Sequence, residues 1–263
     1  MIKREFKVNL KSFLIWLTIL VLMFLVVYLI YPYMITDETM KEFDEMMKIF
    51  PPEVLTAFNM DIASISTVYG WFKTEGFTYV LLIIGLYASI LGGSILLKEE
   101  DDQTIEYLDS LPIKRSNIVT NKIIVGIIYV LLLNILLFIF NYISLTISGD
   151  FNQKEFILLS ITPILIALPL LAINLFISTF LRKTKGTIGI GLGIVFIFYV
   201  LSVLSEITSK VEFLKYFTIY TLADVRNVIM DVSINPIMIL ISLGITIIFI
   251  IGTYLRYNKK ELV

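Results

Sequence analysis

The chain has 263 residues, of which 58% are hydrophobic and only 16% are charged, and its formal net charge is −1. A soluble domain carries roughly 25% charged residues, so this composition excludes a soluble domain and predicts an integral membrane protein. The absence of cysteine and histidine excludes disulfides, thiol or imidazole catalysis, and thiolate or imidazole metal sites.

The first eleven residues form a basic, amphipathic segment. Four of them are Lys or Arg, and apolar residues recur between them at helical spacing. This pattern predicts a short interfacial helix on the inner membrane surface that leads into the first span. The alternative is a frayed basic N-terminus, because basic residues are common before a first span for topological reasons alone.

Six apolar runs are each long enough to cross a bilayer, which takes about 20 helical residues. They cover approximately residues 12–33, 76–97, 118–147, 156–181, 187–205 and 236–255. The third run overshoots a bilayer, so we expect it to tilt or project. The fourth contains Pro163 and Pro169, where we expect a kink or break. For Asn134, Asn141 and Asn174, hydrogen bonds between helices are favoured over contact with a substrate.

The distribution of Lys and Arg predicts the orientation. With the N-terminus inside, the inner segments hold 14 of these residues and the outer segments hold 7, in longer loops. Because cytoplasmic loops carry the excess of Lys and Arg, we expect both termini in the cytoplasm. No charged residue lies at a span centre, where ion-coupled carriers usually place one, so a secondary transporter is disfavoured.

Two longer connections are then predicted to be external. Residues 34–75 contain a helix that Thr36 or Asp37 can cap and that Pro51 and Pro52 end, and we interpret them as a loop with surface helices rather than a binding site. Residues 206–235 are strongly apolar and aromatic. We expect this second connection to dip onto or into the outer leaflet rather than to stand in water.

Residues 98–117 form the main predicted cytoplasmic connection and hold the densest charge in the chain. Four acidic residues follow the second span directly, and Ile105, Leu108 and Leu111 recur at helical spacing. Pro112 ends this short amphipathic helix, and a basic pair opens the next helix. A short helix held between two spans suits docking into a groove of a partner protein. The alternative is a solvated loop.

The run KEEDDQTIEYLDSLPIKR, followed by Lys122, is similar to the segment E-E-x-x-G-T-x-E-x-L-L-S-x-P-I-x-R…K of ABC-2 type permeases, the membrane subunits of a class of ATP-binding-cassette exporters. Upstream, the sequences Phe-Pro-Pro at residues 50–52 and Tyr-Gly at residues 69–70 resemble the first external region of that family. The chain departs from the family pattern at Gln103, where Gly is frequent, and at Asp109, where a second Leu is common.

The resemblance implies a six-span permease subunit that is not itself an enzyme. In the family, two such units pair around a central path, and the loop between spans two and three contacts a separate ABC ATPase. ATP and Mg²⁺ would bind to that ATPase, and no cofactor is expected in this chain, which has no G-x-x-x-x-G-K-[ST] phosphate loop. Apolar residues would contact the ATPase, and charged residues would set the register through charge pairs. The implied coupling residues are Glu99, Glu100, Thr104, Glu106, Leu108, Leu111, Pro112, Ile113 and Arg115.

Gly189 and Gly193 lie one turn apart in the predicted fifth span. Small residues at this spacing allow helices to approach closely, and the dimer interface of the family uses its first and fifth spans. The pair is therefore a candidate for the interface with a second copy of the chain or with a homologous permease. Packing within the chain is the alternative.

The predicted function is export across a bacterial plasma membrane. Apolar, aromatic-rich walls suit an amphipathic or hydrophobic substrate that enters from the membrane, such as a toxin-like or antimicrobial peptide, or a lipid. Membrane lipids are further expected partners, and nucleic acids are not. Alternatives with the same architecture are a peptide-immunity or sensing module, a lipid exporter and a permease for copper-enzyme maturation. Glu99 and Glu100 are also similar to the paired glutamates of membrane CAAX-type proteases, but those enzymes require histidines.

Overall fold

A computed structural model describes residues 2–34, 36–51, 67–105, 114–207 and 209–260. Six of its helices are long and apolar enough to cross a membrane, and the described residues contain no strand. This confirms the prediction of an all-α integral membrane protein with six transmembrane helices. The long helices are α1 Ile2–Met34, α2 Phe77–Ile95, α3 Arg115–Ser148, α4 Gln153–Ser178, α5 Thr184–Ile207 and α6 Pro236–Tyr257.

The predicted interfacial helix and the predicted first span form one continuous helix. α1 contains 33 residues and is about 50 Å long at 1.5 Å per residue. No glycine or proline interrupts it before Pro32, so nothing in its sequence breaks the helical hydrogen bonds. The expectation of a separate surface helix is therefore corrected, because the basic residues form the first turns of α1.

The first external connection begins with the helix Asp37–Met47. The Thr36 hydroxyl caps it by accepting a hydrogen bond from the Thr39 N–H at 3.2 Å, which was one of the two predicted caps. The chain approaches α2 through a short helix, Val68–Trp71, and a π-helical turn, Phe72–Gly76. Residues 52–66, with the rest of this connection, lie outside the described residues.

α2 and α4 form the centre of the bundle. They pack against each other, α5 packs on α2, α6 packs on α4, and α1 packs mainly on α3. In the most apolar stretch of each helix, 61% of the residues of α2 and 67% of those of α4 are buried, against 17% for α5 and for α6 and 22% for α1. The outer helices therefore present most of their apolar side chains to lipid or to another protein.

α4 continues through Pro163 and Pro169 without a break. Each proline lacks the N–H that would bond the carbonyl four residues earlier. The Leu159 carbonyl, four residues before Pro163, accepts a hydrogen bond from Thr162 Oγ1 at 2.9 Å. The Leu165 carbonyl, four residues before Pro169, accepts one from Ser242 Oγ of α6 at 2.8 Å. The break considered for this helix does not occur, since both freed carbonyls have a hydroxyl donor.

The three asparagines predicted to join helices do so. Asn134 Nδ2 of α3 donates to a backbone carbonyl of α4 at 2.8 Å. Asn141 of α3 accepts a hydrogen bond from the Tyr28 hydroxyl of α1 at 2.8 Å. Asn174 of α4 donates to Ser89 Oγ of α2 at 3.1 Å. The predicted packing role of these amides is therefore confirmed.

The connection between α5 and α6 folds back against the bundle. It forms two 3₁₀ helices, Ser209–Phe217 and Tyr220–Ala223, and a short α-helix, Val225–Asp231. Tyr220 is only 6% exposed, and a methyl group on Gly85, near the middle of α2, would lie 2.7 Å from its hydroxyl. The segment that we expected to dip into the membrane thus reaches into the bundle between its helices.

Candidate functional site

The structure describes both ends of the predicted coupling segment, residues 98–117. Lys98–Asp101 form a single helical turn after α2, and Arg115 begins α3. The central part of the segment lies outside the described residues. That part contains the predicted coupling residues Glu106, Leu108, Leu111, Pro112 and Ile113.

Four successive residues of the turn Lys98–Asp101 each bond to a different part of the chain. Lys98 Nζ donates to the Val8 carbonyl of α1 at 3.1 Å, and Asp101 accepts a hydrogen bond from the Thr184 hydroxyl at the start of α5. The two glutamates between them form ion pairs with lysines of α3 and of the segment after α6. The turn is thereby attached to α1, α3, α5 and the segment that follows α6.

The first of these ion pairs belongs to a buried group of Glu5, Glu99 and Lys122, here called the Lys122 cluster. Lys122 is 0% exposed, Glu5 2% and Glu99 4%. Lys122 Nζ lies 2.7 Å from Glu99 Oε2 and 3.3 Å from Glu5 Oε2. It also donates to the carbonyl of Ile95, the last residue of α2, at 2.6 Å, where a cation interacts favourably with the helix dipole. A buried ammonium requires such partners, because desolvation costs several kcal/mol per ion.

The second ion pair belongs to the Lys260 cluster, which consists of Glu100, Arg115, Lys260 and the carbonyl of Leu181. Lys260 Nζ lies 2.6 Å from Glu100 Oε1 and donates to the Leu181 carbonyl at 2.7 Å. The Arg115 guanidinium donates to the Lys260 carbonyl at 2.8 Å. Burial lowers the pKa of Lys260 from its ordinary value, and the hydrogen bond with Glu100 opposes that shift. Lys260 therefore joins the two ends of the coupling segment to each other.

Gln103, one of the two departures from the family pattern, follows the turn and has an unusual backbone conformation. Gln103 has a φ of 56°, in the left-handed region that costs most residues energy and that glycine adopts freely. The next residue, predicted coupling residue Thr104, is exposed, and its N–H donates to the Glu99 carbonyl at 2.8 Å. Gln103 thus takes the conformation for which the family often uses glycine.

The charged residues at the ends of the coupling segment have partners within the chain. We interpreted Glu99, Glu100 and Arg115 as groups that set register with the ATPase through charge pairs. In the structure, both glutamates are buried in ion pairs within the chain, and Arg115 donates to a carbonyl of the chain. Within the chain they hold the ends of the segment against the helices, and their contact with an ATPase stays a prediction.

Sequence reasoning assigned no role to Glu5 or Lys260 and gave Lys122 only a place in the family pattern. Two of them carried a usable signal. Glu5 is the only acidic residue among the first eleven, and Lys122 is the only charged residue of the predicted span 118–147. Lys260 carried none, because a basic residue after a last span is explained by topology alone.

Gly189 and Gly193 lie on an exposed face of α5. A methyl group added at either glycine would meet no atom of the described chain within 4 Å. Close helix packing at this pair is therefore absent among the residues that the structure describes. Phe196, Val200 and Leu204 follow at helical spacing and are also exposed.

Comparison with known proteins identifies the family. No curated protein and no solved structure matches the chain. A family model described as ABC-2 family transporter protein matches residues 1–262, which includes both clusters and the whole coupling segment. The chain therefore belongs to the ABC-2 family of transporter proteins.

Proposed function

We propose that this chain is the permease of an exporter that moves an amphipathic or hydrophobic substrate, above all a toxin-like or antimicrobial peptide, out of the cell. Membership of the ABC-2 family makes it a multi-pass transport subunit and implies an ABC ATPase partner and a permease dimer. In our proposal the ATPase binds ATP and Mg²⁺, and the complex lies in the plasma membrane. The substrate class is proposed from the spans, which are apolar and rich in aromatic residues and hold no charged residue at their centres.

The observation that carries the proposal is the attachment of the turn Lys98–Asp101 to four other parts of the chain. A displacement of residues 106–113 would act on this turn and on Arg115 at the other end of the segment. Because the turn is held by two buried ion pairs and by a hydrogen bond from Thr184 of α5, and Arg115 by a hydrogen bond to the Lys260 carbonyl, the displacement would reach α1, α3 and α5 together. ATP binding that draws two ATPases together would then move the helices that surround the path.

Substitutions in the coupling segment test this mechanism. Leu111→Ala is expected to impair ATPase association and transport more than Lys114→Ala, because a buried apolar contact is worth about 2 kcal/mol or more and an exposed charge about 0.2 to 1 kcal/mol. Pro112→Ala should retain ATPase binding but uncouple ATP hydrolysis from transport, since the sequence predicts that this proline sets the break before the next span. Co-purification with the ATPase and a transport assay, with peptides and lipids compared as substrates, measure both effects.

The matched control is Lys114→Ala. Lys114 directly follows residues 106–113 in the coupling segment, and this substitution removes only an exposed charge. If Leu111→Ala binds the ATPase and transports normally, residues 106–113 are a solvated loop and the coupling contact lies elsewhere. The connection between α4 and α5, with Arg182 to Lys185, would be the next candidate.

The orientation is tested by labelling. A cysteine introduced at Asn258 should resist an impermeant thiol reagent applied to intact cells, and one at Asp44 should react. The reason is the excess of Lys and Arg on the side that holds Asn258. The chain has no native cysteine, so the unmodified protein is the blank. The reverse pattern would place the coupling segment on the wrong side for an ATPase.

The dimer interface is proposed along the exposed face of α5 that carries Gly189 and Gly193. Gly189→Leu and Gly193→Leu are each expected to weaken dimer association in detergent by blocking close helix approach, with membrane insertion unchanged. Gly244→Leu in α6 is the control, since Gly244 also has no neighbour within 4 Å in the described chain. Mass photometry gives the dimer fraction. An unchanged fraction in both α5 variants would remove the pair from the interface.

A further inference from the structure

A cavity of about 560 Å³ lies at the end of the bundle opposite the two lysine clusters. Its walls come from the first turn of α2, the last turns of α5, the first turn of α6 and the folded-back segment 209–231. Ligand sites typically have volumes of about 300 to 1,000 Å³. Since the cavity lies where three apolar helices begin or end, it lies at the depth at which hydrocarbon meets lipid headgroups.

The lining of the cavity carries both signs of charge. Glu206 and Asp224 are acidic, and Lys215 and Arg226 are basic. Some of these groups have partners within the chain: Lys215 pairs with Glu212 at 2.6 Å, and Asp224 accepts a hydrogen bond from a neighbouring amide at 2.9 Å. A headgroup with a net positive charge would be repelled by the two basic residues, and one with a net negative charge would be repelled by the two acidic residues. The lining is therefore best matched by a headgroup that itself carries one positive and one negative charge.

Aromatic rings line the same cavity as the carboxylates. Tyr199 and Tyr220 line the cavity, with ring centroids 5.8 Å apart in an edge-to-face arrangement. Aromatic faces attract ammonium groups, and a carboxylate nearby adds a charge-assisted hydrogen bond. Lys and Arg bind phosphate in the same way. The cavity thus combines groups for an ammonium with groups for a phosphate.

The remaining wall is apolar. Phe77 and Leu81 of α2 and Met238 of α6 face the same space, and Phe77 is only 1% exposed. A ligand in this cavity therefore has an apolar part next to its charged headgroup. A cationic peptide fits less well, because its positive charges would approach Lys215 and Arg226.

From these features we infer that the cavity binds the headgroup of a zwitterionic phospholipid, with the ammonium near Tyr199, Glu206 and Asp224 and the phosphate near Lys215 and Arg226. The acyl chains extend along the apolar wall toward the bilayer. This site is separate from the coupling segment, and its assignment does not depend on which substrate the transporter exports.

The test is native mass spectrometry of the full chain in detergent, with dilauroyl phosphatidylethanolamine and dilauroyl phosphatidylglycerol added in equal amounts. The ethanolamine lipid should be retained about tenfold more than the glycerol lipid. The glycerol headgroup lacks the ammonium, and one charge-assisted hydrogen bond to that ammonium is strong enough to produce a tenfold ratio. Glu206→Gln should reduce this preference about tenfold, because it removes a partner of the ammonium. Arg226→Gln should instead reduce the retention of both lipids about tenfold, because both carry the phosphate. Asp231→Asn and Lys210→Gln lie on the same segment but outside the cavity lining. They should leave the preference and the retention of both lipids unchanged.

Glu206 and Arg226 are both exposed, so these variants should fold, and their size-exclusion profiles verify this. Equal retention of the two lipids would overturn the assignment. So would an unchanged preference in Glu206→Gln, or unchanged retention of both lipids in Arg226→Gln. Displacement of the ethanolamine lipid by an amphipathic peptide of Leu and Lys would equally overturn it and would assign the cavity to peptide.

Discussion

Lys122→Met is expected to lower the free energy of unfolding by about 3 to 5 kcal/mol, because removing one partner of a buried ion pair leaves the other charge uncompensated. Here two carboxylates, Glu5 and Glu99, would remain buried at 2% and 4% exposure. The Ile95 carbonyl would also lose its donor. Denaturant unfolding of the purified protein in detergent measures the change, and the yield of inserted protein should fall with it.

The matched control is Lys48→Met. Lys48 pairs with Asp44 at 2.5 Å, but its side chain is 69% exposed, so the loss should be small beside that of Lys122→Met, because solvent screens an exposed pair. A triple variant that adds Glu5→Gln and Glu99→Gln to Lys122→Met should recover most of the lost stability, since no buried charge then remains in the cluster. If Lys122→Met unfolds like the parent protein, the three side chains do not form a buried cluster.

Gly92→Ala is expected to destabilise the bundle by about 1 to 3 kcal/mol, the usual cost of overpacking a core. The added methyl group would lie 2.4 Å from the Leu171 carbonyl oxygen of α4. That atom belongs to the backbone of a helix, so it cannot move aside without shifting α4 as a whole. Because α2 and α4 form the centre of the bundle, the shift would disturb the helices packed on both.

Gly244→Ala is the control for this substitution. Gly244 lies in α6, and a methyl group there meets nothing within 4 Å in the described chain. Removing a helical glycine should stabilise α6 by up to about 1 kcal/mol. Thermal unfolding of the two variants side by side gives the comparison, and equal midpoints would contradict the close contact between α2 and α4.

The number and positions of the long helices could be predicted from the sequence, because about 20 consecutive apolar residues leave few structures other than a transmembrane helix. The roles of Asn134, Asn141 and Asn174 followed from the same argument, since an amide surrounded by hydrocarbon needs a partner. Local sequence also limited the cap of the first external helix to Thr36 or Asp37, and Thr36 is the cap. These features depend on composition and on near neighbours along the chain.

The clusters could not be predicted, because they depend on which helices are neighbours. Lys122 finds Glu5 on α1 and Glu99 after α2, and Lys260 finds Glu100 at the far end of the sequence. Charge patterns within the coupling segment pointed to an external partner, because they carry no information on how the helices are arranged. The glycines show the same limit: spacing drew attention to Gly189 and Gly193, whereas close packing occurs at Gly92.

The position of Lys260 has a practical consequence for protein engineering. Any domain joined downstream of Lys260 would start beside both ends of the coupling segment. A linker of ten extended residues reaches about 33 Å, so an ATPase fused there would be held at a high effective concentration next to its proposed docking surface. An affinity tag at the same place would compete for that space. The exposed Gly149 and Asp150, at the opposite end of the bundle, offer a better insertion point for a tag.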